Sequence, residues 1–386
     1  MNVPKLRFKE FNDEWIETKI QNVATVIGGG TPSTDEPKYW GNEINWFTPS
    51  EIGKTKYVTI SNRKISQDGL KNSSAKLLPK GTILLSSRAT VGEASILLNE
   101  ASTNQGFQSL IVNENNCNEF IYYLKYKYKR EMLIKSFGST FLEISKSNVE
   151  NIKIKIPSKE EQFMIANFLS LLDKKIELQS KKIEDLKLFK KGLINNIGKN
   201  IEIEKIPLKN ILTEQNHKTI RNNEYEILSS TSKGLYLQKD YFNKQAASDN
   251  NVGYKILKKN QLVLSPQNLW MGNININSKY NIGIVSPSYK IFDINNNIDI
   301  DFFDYWIKSP KALYEYKISS EQGASIVRRN LNIDLFYEIK VDIPKGKMQN
   351  KIGKIIKLLN LKILYNENSL QKLQELKKGL MQNMFV

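Results

Sequence analysis

Two stretches of the chain carry apolar residues at a 3-and-4 spacing held over about five heptads. The first opens at Ile156-Pro157 and closes at Lys190-Lys191-Gly192-Leu193. Its apolar positions are Ile165, Phe168, Leu169, Leu172, Ile176, Ile183, Leu186, Phe189 and Leu193, and Lys174, Lys181, Lys182, Glu184 and Lys187 fall on the other side. This pattern predicts one long helix with an adhesive stripe and a wet face. Pro157, Ser158 as N-cap and Glu161 three residues on form a start signal of the capping-box type. The second stretch runs from Ile343-Pro344 to Lys377-Lys378-Gly379-Leu380, with its stripe at Ile352, Ile355, Ile356, Leu359, Ile363, Leu370, Leu373, Leu376 and Leu380. It lacks the capping box, because Lys345 and Met348 stand where the first copy has Ser and Glu.

The two stretches are copies. Position 157 corresponds to 344, an offset of 187, and the same offset matches Gln162 with Gln349, Ile165 with Ile352, Leu171-Leu172 with Leu358-Leu359, Lys175-Ile176 with Lys362-Ile363 and Leu186 with Leu373. No insertion is needed between the ends. A period this long is not that of a solenoid, whose units run to roughly 20–50 residues; it describes a globular domain followed by a long helix, duplicated. About forty helical residues make a rod of ~60 Å. Two matched stripes in one chain satisfy each other as an intramolecular antiparallel coiled coil, with Ile165, Leu172, Ile176, Ile183 and Leu186 facing Ile352, Leu359, Ile363, Leu370 and Leu373. The alternative is that each helix packs on its own domain or on a partner protein.

The intervening segments read as mixed α and β, with short strands at Thr82–Leu85, Gln108–Val112 and Ile152–Ile154 in the first, and at Leu262–Leu264, Ile282–Val285 and Ile339–Val341 in the second. They fall in parallel places: Lys80 to Ser86 resembles Lys259 to Ser265. The expected class is α+β, in four parts: a domain at 1–155, a helix at 156–200, a related domain at 201–342 and a helix at 343–386. The domains have diverged more than the helices, as expected if the domains read different things and the helices share one job.

Charge narrows the partner. The chain of 386 residues has 57 Lys+Arg against 40 Asp+Glu, a formal charge of +17, which favours nucleic acid first and an acidic membrane surface second. The excess of Lys over Arg and the many Asn residues also fit an A·T-rich genome. A single cysteine, Cys117, excludes an internal disulfide and a cysteine metal cluster. The one histidine, His217, lies in a polar stretch that reads as a surface loop. Charges interrupt the first fifteen residues and no apolar run approaches the ~18 of a membrane span, so the expected location is cytoplasmic. Gly53-Lys54-Thr55 resembles the end of a phosphate loop, but Thr48 stands where that pattern needs glycine. Gly28-Gly29-Gly30 reads as a tight turn between strands, with a backbone cradle for phosphate as the alternative. No metal constellation and no Asn/Asp-Pro-Pro-aromatic methyltransferase segment occurs, and acid-x-Lys triplets such as Glu338-Ile339-Lys340 arise freely in a chain so rich in Lys and Glu.

These features together resemble one family, the specificity (S) subunits of Type I restriction-modification systems. The resemblance rests on Pro4-Lys5-Leu6-Arg7-Phe8, Phe11 and Trp15; on Gly29-Gly30-Thr31-Pro32-Ser33, Tyr39-Trp40-Gly41 and Ile44-Asn45-Trp46; on Ser87 to Gly92 and Thr103-Asn104-Gln105-Gly106; and on the repeated Ile-Pro, Gln, long helix and Lys-Lys-Gly-Leu series. The second half departs from it, with Thr213-Glu214-Gln215-Asn216 and Ser265-Pro266-Gln267-Asn268 in place of the Gly-Gly-Thr-Pro and Ser-Arg turns.

The resemblance implies a non-catalytic subunit in which two target-recognition domains each read half of a bipartite DNA target and the paired helices set the spacer. It implies docking of methyltransferase (M) subunits, two in number, and of restriction/translocase (R) subunits. This chain would bind no cofactor, S-adenosylmethionine, ATP and Mg residing on the partners. Candidate DNA-binding residues are Trp46, Ser50, Lys54, Ser87, Arg88 and Gln105 in the first domain, and Lys233, Gln267, Asn268, Trp270, Tyr289, Arg328 and Arg329 in the second. Arg suits guanine edges, and Asn or Gln suits adenine. Trp46 and Trp270 equally suit a core, and Arg88 a salt bridge. Two other readings stay open: an enzyme in its own right, as nuclease or methyltransferase, and a coiled-coil scaffold without DNA specificity.

Overall fold

The six strands expected from the sequence all form, with ends shifted by a residue or more in three of them, and the larger sheet is built twice in the same order. The computed structural model describes residues 3–136, 142–197, 201–241, 250–322, 329–345 and 347–386. They fall into two units, Met1–Ser180 with Asn368–Val386, and Lys181–Glu367. In the first, the sheet order is Ala24–Gly28, Gln108–Val112, Ile83–Leu85, Ala94–Leu97, Tyr57–Val58, antiparallel except at the last junction. In the second it is Leu212–Gln215, Lys290–Ile294, Leu262–Leu264, Ile274–Ile276, antiparallel throughout.

The central strand of each sheet is buried on both faces, which is why it reads as an unbroken apolar run rather than an alternation. Ile83 and Leu85 enter a core with Phe120, Ile121 and Leu124 of the helix Asn118–Lys135, while Leu84 points into a second core with Phe47, Leu78 and Phe107. In the other unit Leu262 and Leu264 pack with Phe302, Phe303 and Trp306, and Val263 faces Leu228, Leu257 and Val285. The single helix of the first unit becomes two here, Ile300–Trp306 and Pro310–Ile318, because Ser309 caps a new start and Pro310 occupies its first turn. A two-stranded ribbon closes each domain: Ile16–Lys19 with Lys153–Ile156, and Ile203–Pro207 with Lys340–Pro344.

The long helices are Lys159–Ile197 and Met348–Asn383. Ser158 caps the first, its Oγ accepting from the Glu161 amide at 3.3 Å. The expected reciprocal half of the capping box is absent. The Glu161 carboxylate instead takes Arg7 Nε and Nη2, each at 2.8 Å, and the indole N–H of Trp15. Gln162 and Gln349 share a different task. The Oε1 of Gln162 accepts from the backbone N–H of Cys117, the N-cap of Asn118–Lys135, at 3.0 Å; the Oε1 of Gln349 accepts from that of Asp299, the N-cap of Ile300–Trp306, at 2.9 Å. Each amide nitrogen then donates to a nearby oxygen: Gln162 to Asn116 and Pro157, Gln349 to Asn297.

Within the second unit Lys187 pairs with Glu367 at 2.7 Å and Lys190 Nζ donates to Asn360 at 2.6 Å, so the number climbs on one helix as it falls on the other and the two run antiparallel. In the first unit Asp173 pairs with Lys377 at 2.5 Å. The 187-residue offset carries Asp173 to Asn360 and Lys190 to Lys377, so both units use one register. Of the residues expected in the seam, Leu172, Ile183 and Ile363 are buried and Ile176, Leu186, Leu359, Leu370 and Leu373 half-buried. Ile165 and Ile352 lie in the globular cores. The wet face is less polar than the pattern predicts. Phe168, Phe189, Ile355 and Leu376 are exposed rather than buried in the stripe, and so are Leu171 and Leu178 in the first unit and Leu188, Leu358, Leu361, Leu364 and Tyr365 in the second.

Both domains also hold a lysine against the sheet. Lys125 donates to the Ala94 carbonyl, and Lys308 to the Gly272 carbonyl and Asn275 Oδ1, each at 2.9 Å for Lys308. Burial pushes each ammonium down to about 8 from the ordinary 10.5.

The glutamines and the lysines each set a stability outcome. Gln162→Leu strands a buried N–H and is expected to cost about 1–3 kcal/mol, with Gln349→Leu at the lower end because its site is only partly buried; denaturant melts read both, and no loss in either variant would refute the role. Below about pH 8 both lysines are charged folded or unfolded, and the burial cost is present in full. Between about 8 and 10.5 the folded chain releases protons that the unfolded chain keeps, so stability rises with pH. The melting midpoint is expected to climb from about pH 7.5 to about 9.3, and to climb less in Lys308→Met; an equal slope in the variant would count against it.

Candidate nucleic-acid interface

One end of the first domain collects most of its candidate residues, and glycine makes this possible. A Cβ on Gly29 would lie 2.0 Å from the Asn104 carbonyl oxygen, and one on Gly30 would lie 2.2 Å from Ser74 Oγ. Close approach is what requires glycine in this turn, since none of Gly28, Gly29 and Gly30 has a positive φ. Gly30 N–H donates to the Thr103 carbonyl at 2.9 Å, which sets the Thr31 hydroxyl to donate to Gln105 Oε1. The next loop packs alongside, since a Cβ on Gly106 would sit 2.8 Å from Pro49. Pro49 opens the short turn Pro49–Glu51, capped by Thr48, and the Glu51 carboxylate ties it to the Thr48 and Asn62 amides. Ser50 and Gln105 are left exposed on this surface.

Trp46 is not on the surface. It is 4% exposed, donates its indole N–H to the Gly30 carbonyl at 2.9 Å, and belongs to a small core with Ile44, Ile65 and Ala75. Ser87 is fully buried, because its strand end is pinned on both sides by Gly106 and Ile144. Arg88 is half-exposed at the tip of a turn in which Ala89 adopts φ 62, a backbone conformation costly for a residue with a Cβ. Its Nη2 donates to both Glu143 oxygens, at 2.8 and 2.7 Å, so its charge is already answered. Lys54 is exposed beside Gly53, and the strand Tyr57–Val58 follows rather than the helix a phosphate loop requires.

Arg63 and Trp40 are not among the sequence candidates. The strand Trp40–Phe47 pairs with Arg63–Ile65, but both Trp40 and Ile44 face Ile65, so residues 41–43 bulge out and swing Trp40 back beside Trp46. The two indoles meet edge to face at 5.2 Å, and the Arg63 guanidinium lies 3.6 Å from the Trp40 ring centre. An exposed arginine in a chain with 7 arginines and 50 lysines was the available signal. Its aromatic platform depends on a bulge that no spacing rule reveals.

The second domain brings its candidates together around buried amides. Ser230 Oγ donates to Asn273 Oδ1, and Asn275 Nδ2 donates to Ser230 Oγ, both at 2.7 Å. Tyr289 is half-buried against the same group, its hydroxyl donating to the Ser230 carbonyl at 3.4 Å, and burial raises its pKa. The Asn273 N–H reaches the Asn268 carbonyl, and the Arg329 N–H the Gln267 carbonyl. Lys233 and Gln267 are exposed; Asn268 and Trp270 are half-buried. Arg329 spends its guanidinium on Ser320 Oγ and the Ser320 carbonyl, at 2.9 and 2.5 Å, holding its own hairpin closed. Arg328 lies outside the described residues. Each domain thus ends in polar loops of mixed donors and acceptors, the chemistry needed for base edges and phosphates alike.

Comparison with known proteins agrees with this architecture. Residues 12–188 match the Type I restriction modification DNA specificity domain. The Type I restriction enzyme MjaIX specificity subunit of Methanocaldococcus jannaschii is 41% identical over 187 residues, 47% of this chain and 43% of that protein. The EcoR124I/EcoR124II specificity subunit of Escherichia coli is 27% identical over 197 residues, 46% of this chain and 48% of that protein. The matched region thus spans about half the length of these relatives. A crystal structure of a Type I restriction-modification S subunit from M. genitalium superposes with a TM-score of 0.64 at 19% identity, covering 100% of this chain and 99% of that one, which establishes a shared fold. Residues 12–188 are thus similar to the Type I restriction modification DNA specificity domain, and over about half its length the chain is similar to specificity subunits of Type I restriction enzymes.

Proposed function

We propose that this chain is the DNA sequence-specificity subunit of a Type I restriction-modification complex and carries out no catalysis itself. Each unit reads one half of a bipartite duplex target through its polar loop end, and the paired helices hold the two halves in fixed register. Lysines contact phosphates and position the protein, and a few loop side chains distinguish bases. The observation that carries this reading is the combination of a repeated scaffold and divergent ends. Sheet order, glutamine joint and helix register repeat between the units, whereas the loop sequences do not: Gly29-Gly30-Thr31-Pro32 and Ser87-Arg88 in the first unit give way to Thr213-Glu214-Gln215-Asn216 and Ser265-Pro266-Gln267-Asn268 in the second. A scaffold protein has no use for such divergence.

Methyltransferase subunits dock on the long helices and supply S-adenosylmethionine and the adenine chemistry, and an ATP- and Mg-dependent restriction subunit joins for cleavage. The exposed leucines support this. Leu358, Leu361, Leu364 and Tyr365 are each more than half exposed within two turns of one helix, an apolar surface that a partner would cover.

A genome-wide map of adenine methylation in the native host, with and without the gene, is expected to lose one two-part motif with a constant gap; an unchanged map with the partner genes expressed would overturn the reading. Leu358→Glu with Leu361→Glu and Tyr365→Glu is expected to abolish co-purification with the methyltransferase subunit while leaving the melting midpoint of the chain within a few degrees of the parent. Retained co-purification would remove this face from the docking surface.

A further inference from the structure

Among the arginines of the first unit, Arg63 is held in a distinctive way. Arg7 is bound by Glu161 and Arg88 by Glu143, so both charges are neutralised within the fold. Arg63 is exposed and, among the described residues, its guanidinium makes no ion pair and no hydrogen bond; what holds it is the face of Trp40 at 3.6 Å, with Trp46 behind at 5.5 Å. The platform is itself fixed. The Trp40 indole donates to the Ser33 carbonyl at 3.0 Å, the Trp46 indole to Gly30, and the rings brace each other at right angles. Stacking occupies one face of the guanidinium and leaves its N–H edge free. The indoles that hold it are tied to the loop from Gly30 to Ser33, whose Thr31 donates to Gln105, and Asn62, next to Arg63 in the chain, is tied to the turn holding Ser50.

We propose that Arg63, oriented by Trp40, is the guanine-reading residue of the first unit, pairing in bidentate fashion with O6 and N7 of one guanine in the major groove. This rests on the specificity-subunit reading above. Two physical arguments favour a base over a phosphate. A phosphate contact needs charge at a roughly correct place, which 50 lysines supply; a bidentate base contact needs a planar fork at a fixed angle, which stacking on a braced indole provides. An arginine meant for the backbone also gains little by being held rigid before DNA arrives, whereas one meant to discriminate bases avoids the ordering cost at the moment of recognition.

The test is to express the full chain with its methyltransferase partner and map adenine methylation for the parent, Arg63→Ala, Arg63→Lys and Trp40→Phe. The parent motif is expected to contain a guanine, in one half-site, that becomes degenerate in both Arg63 variants, with the other half-site unchanged and total methylation at the parental motif reduced on the order of tenfold or more, the equivalent of one lost bidentate pair. Trp40→Phe is expected to relax the same position less. Arg63→Lys keeps the charge and the aliphatic stem, so it reads the same question if the alanine variant folds poorly. A uniform fall in methylation with the motif intact would assign Arg63 to a phosphate and overturn the proposal. An unchanged map, or a parent motif without guanine in either half, would overturn it as well. Absence of any bipartite motif in the parent would defeat the specificity reading itself, so the two failures are distinguishable.

Discussion

A side-chain amide at the foot of each long helix is the joint on which the rest of the architecture depends. A helix N-terminus leaves backbone N–H groups without partners, and the N-cap residue's own N–H is a further one when it is buried. In both units that group belongs to the helix packed on the larger sheet, Asn118–Lys135 or Ile300–Trp306, and in both a glutamine from the first turn of the long helix answers it: Gln162 for Cys117, Gln349 for Asp299. One residue thereby satisfies a buried donor and fixes where the long helix leaves its domain. The approach is close enough to restrict what sits beside it. A Cβ on Gly353 would lie 2.4 Å from Asp299 Oδ1, and the corresponding position in the first unit is the small, buried Ala166. The joint is the same in both copies although the surrounding sequence has drifted.

Divergence is concentrated where the joint imposes nothing. The turn after the central strand contacts the segment preceding the last short helix in both domains, yet the side chains there are exchanged. In the first unit the turn supplies the arginine, Arg88, and the opposite segment the carboxylate, Glu143; in the second the turn supplies Gln267, and the opposite segment supplies Arg329. The backbone contact survives and the chemistry on it is rewritten. The same holds for the buried lysine, since Lys125 and Lys308 perform one packing task through different acceptors.

What is legible in the sequence is what depends on local periodicity. The long helices, their 187-residue offset and the six short strands follow from spacing alone, because each is a property of neighbouring residues. The solvent-facing leucines are not marked by the spacing, and Phe168, Phe189, Ile355 and Leu376 fall within the stripe that it marks as buried yet are exposed, since a broad apolar arc does not announce which edge of it meets the partner helix. The loop ends are only partly legible. Ser50, Lys54, Gln105, Lys233 and Gln267 are exposed as expected of loop residues, whereas Trp46 and Ser87 are buried by contacts from residues 16 and more positions away. Trp40 and Trp46 look alike in the sequence. A three-residue bulge places one at the surface under an arginine and the other in the core, and that outcome depends on strand register, not on composition.

The contrast between arginine and lysine extends this logic to recognition. Lysine is a flexible point charge, and an excess of it gives a long-range, salt-sensitive attraction with no directional content. Four arginines are instead geometrically fixed: Arg7 by a bidentate carboxylate and the Asp13 carbonyl, Arg88 by a bidentate carboxylate, Arg329 by a hydroxyl and carbonyls, Arg63 by an indole face. Three of these spend the N–H groups on the protein. An aromatic face holds a guanidinium without consuming its donors, so Arg63 alone among the four is held in place while its N–H groups have no partner among the described residues. Its N–H groups are left to water, which a base edge can displace, and order combined with available donors is what distinguishes a reading residue from a structural one.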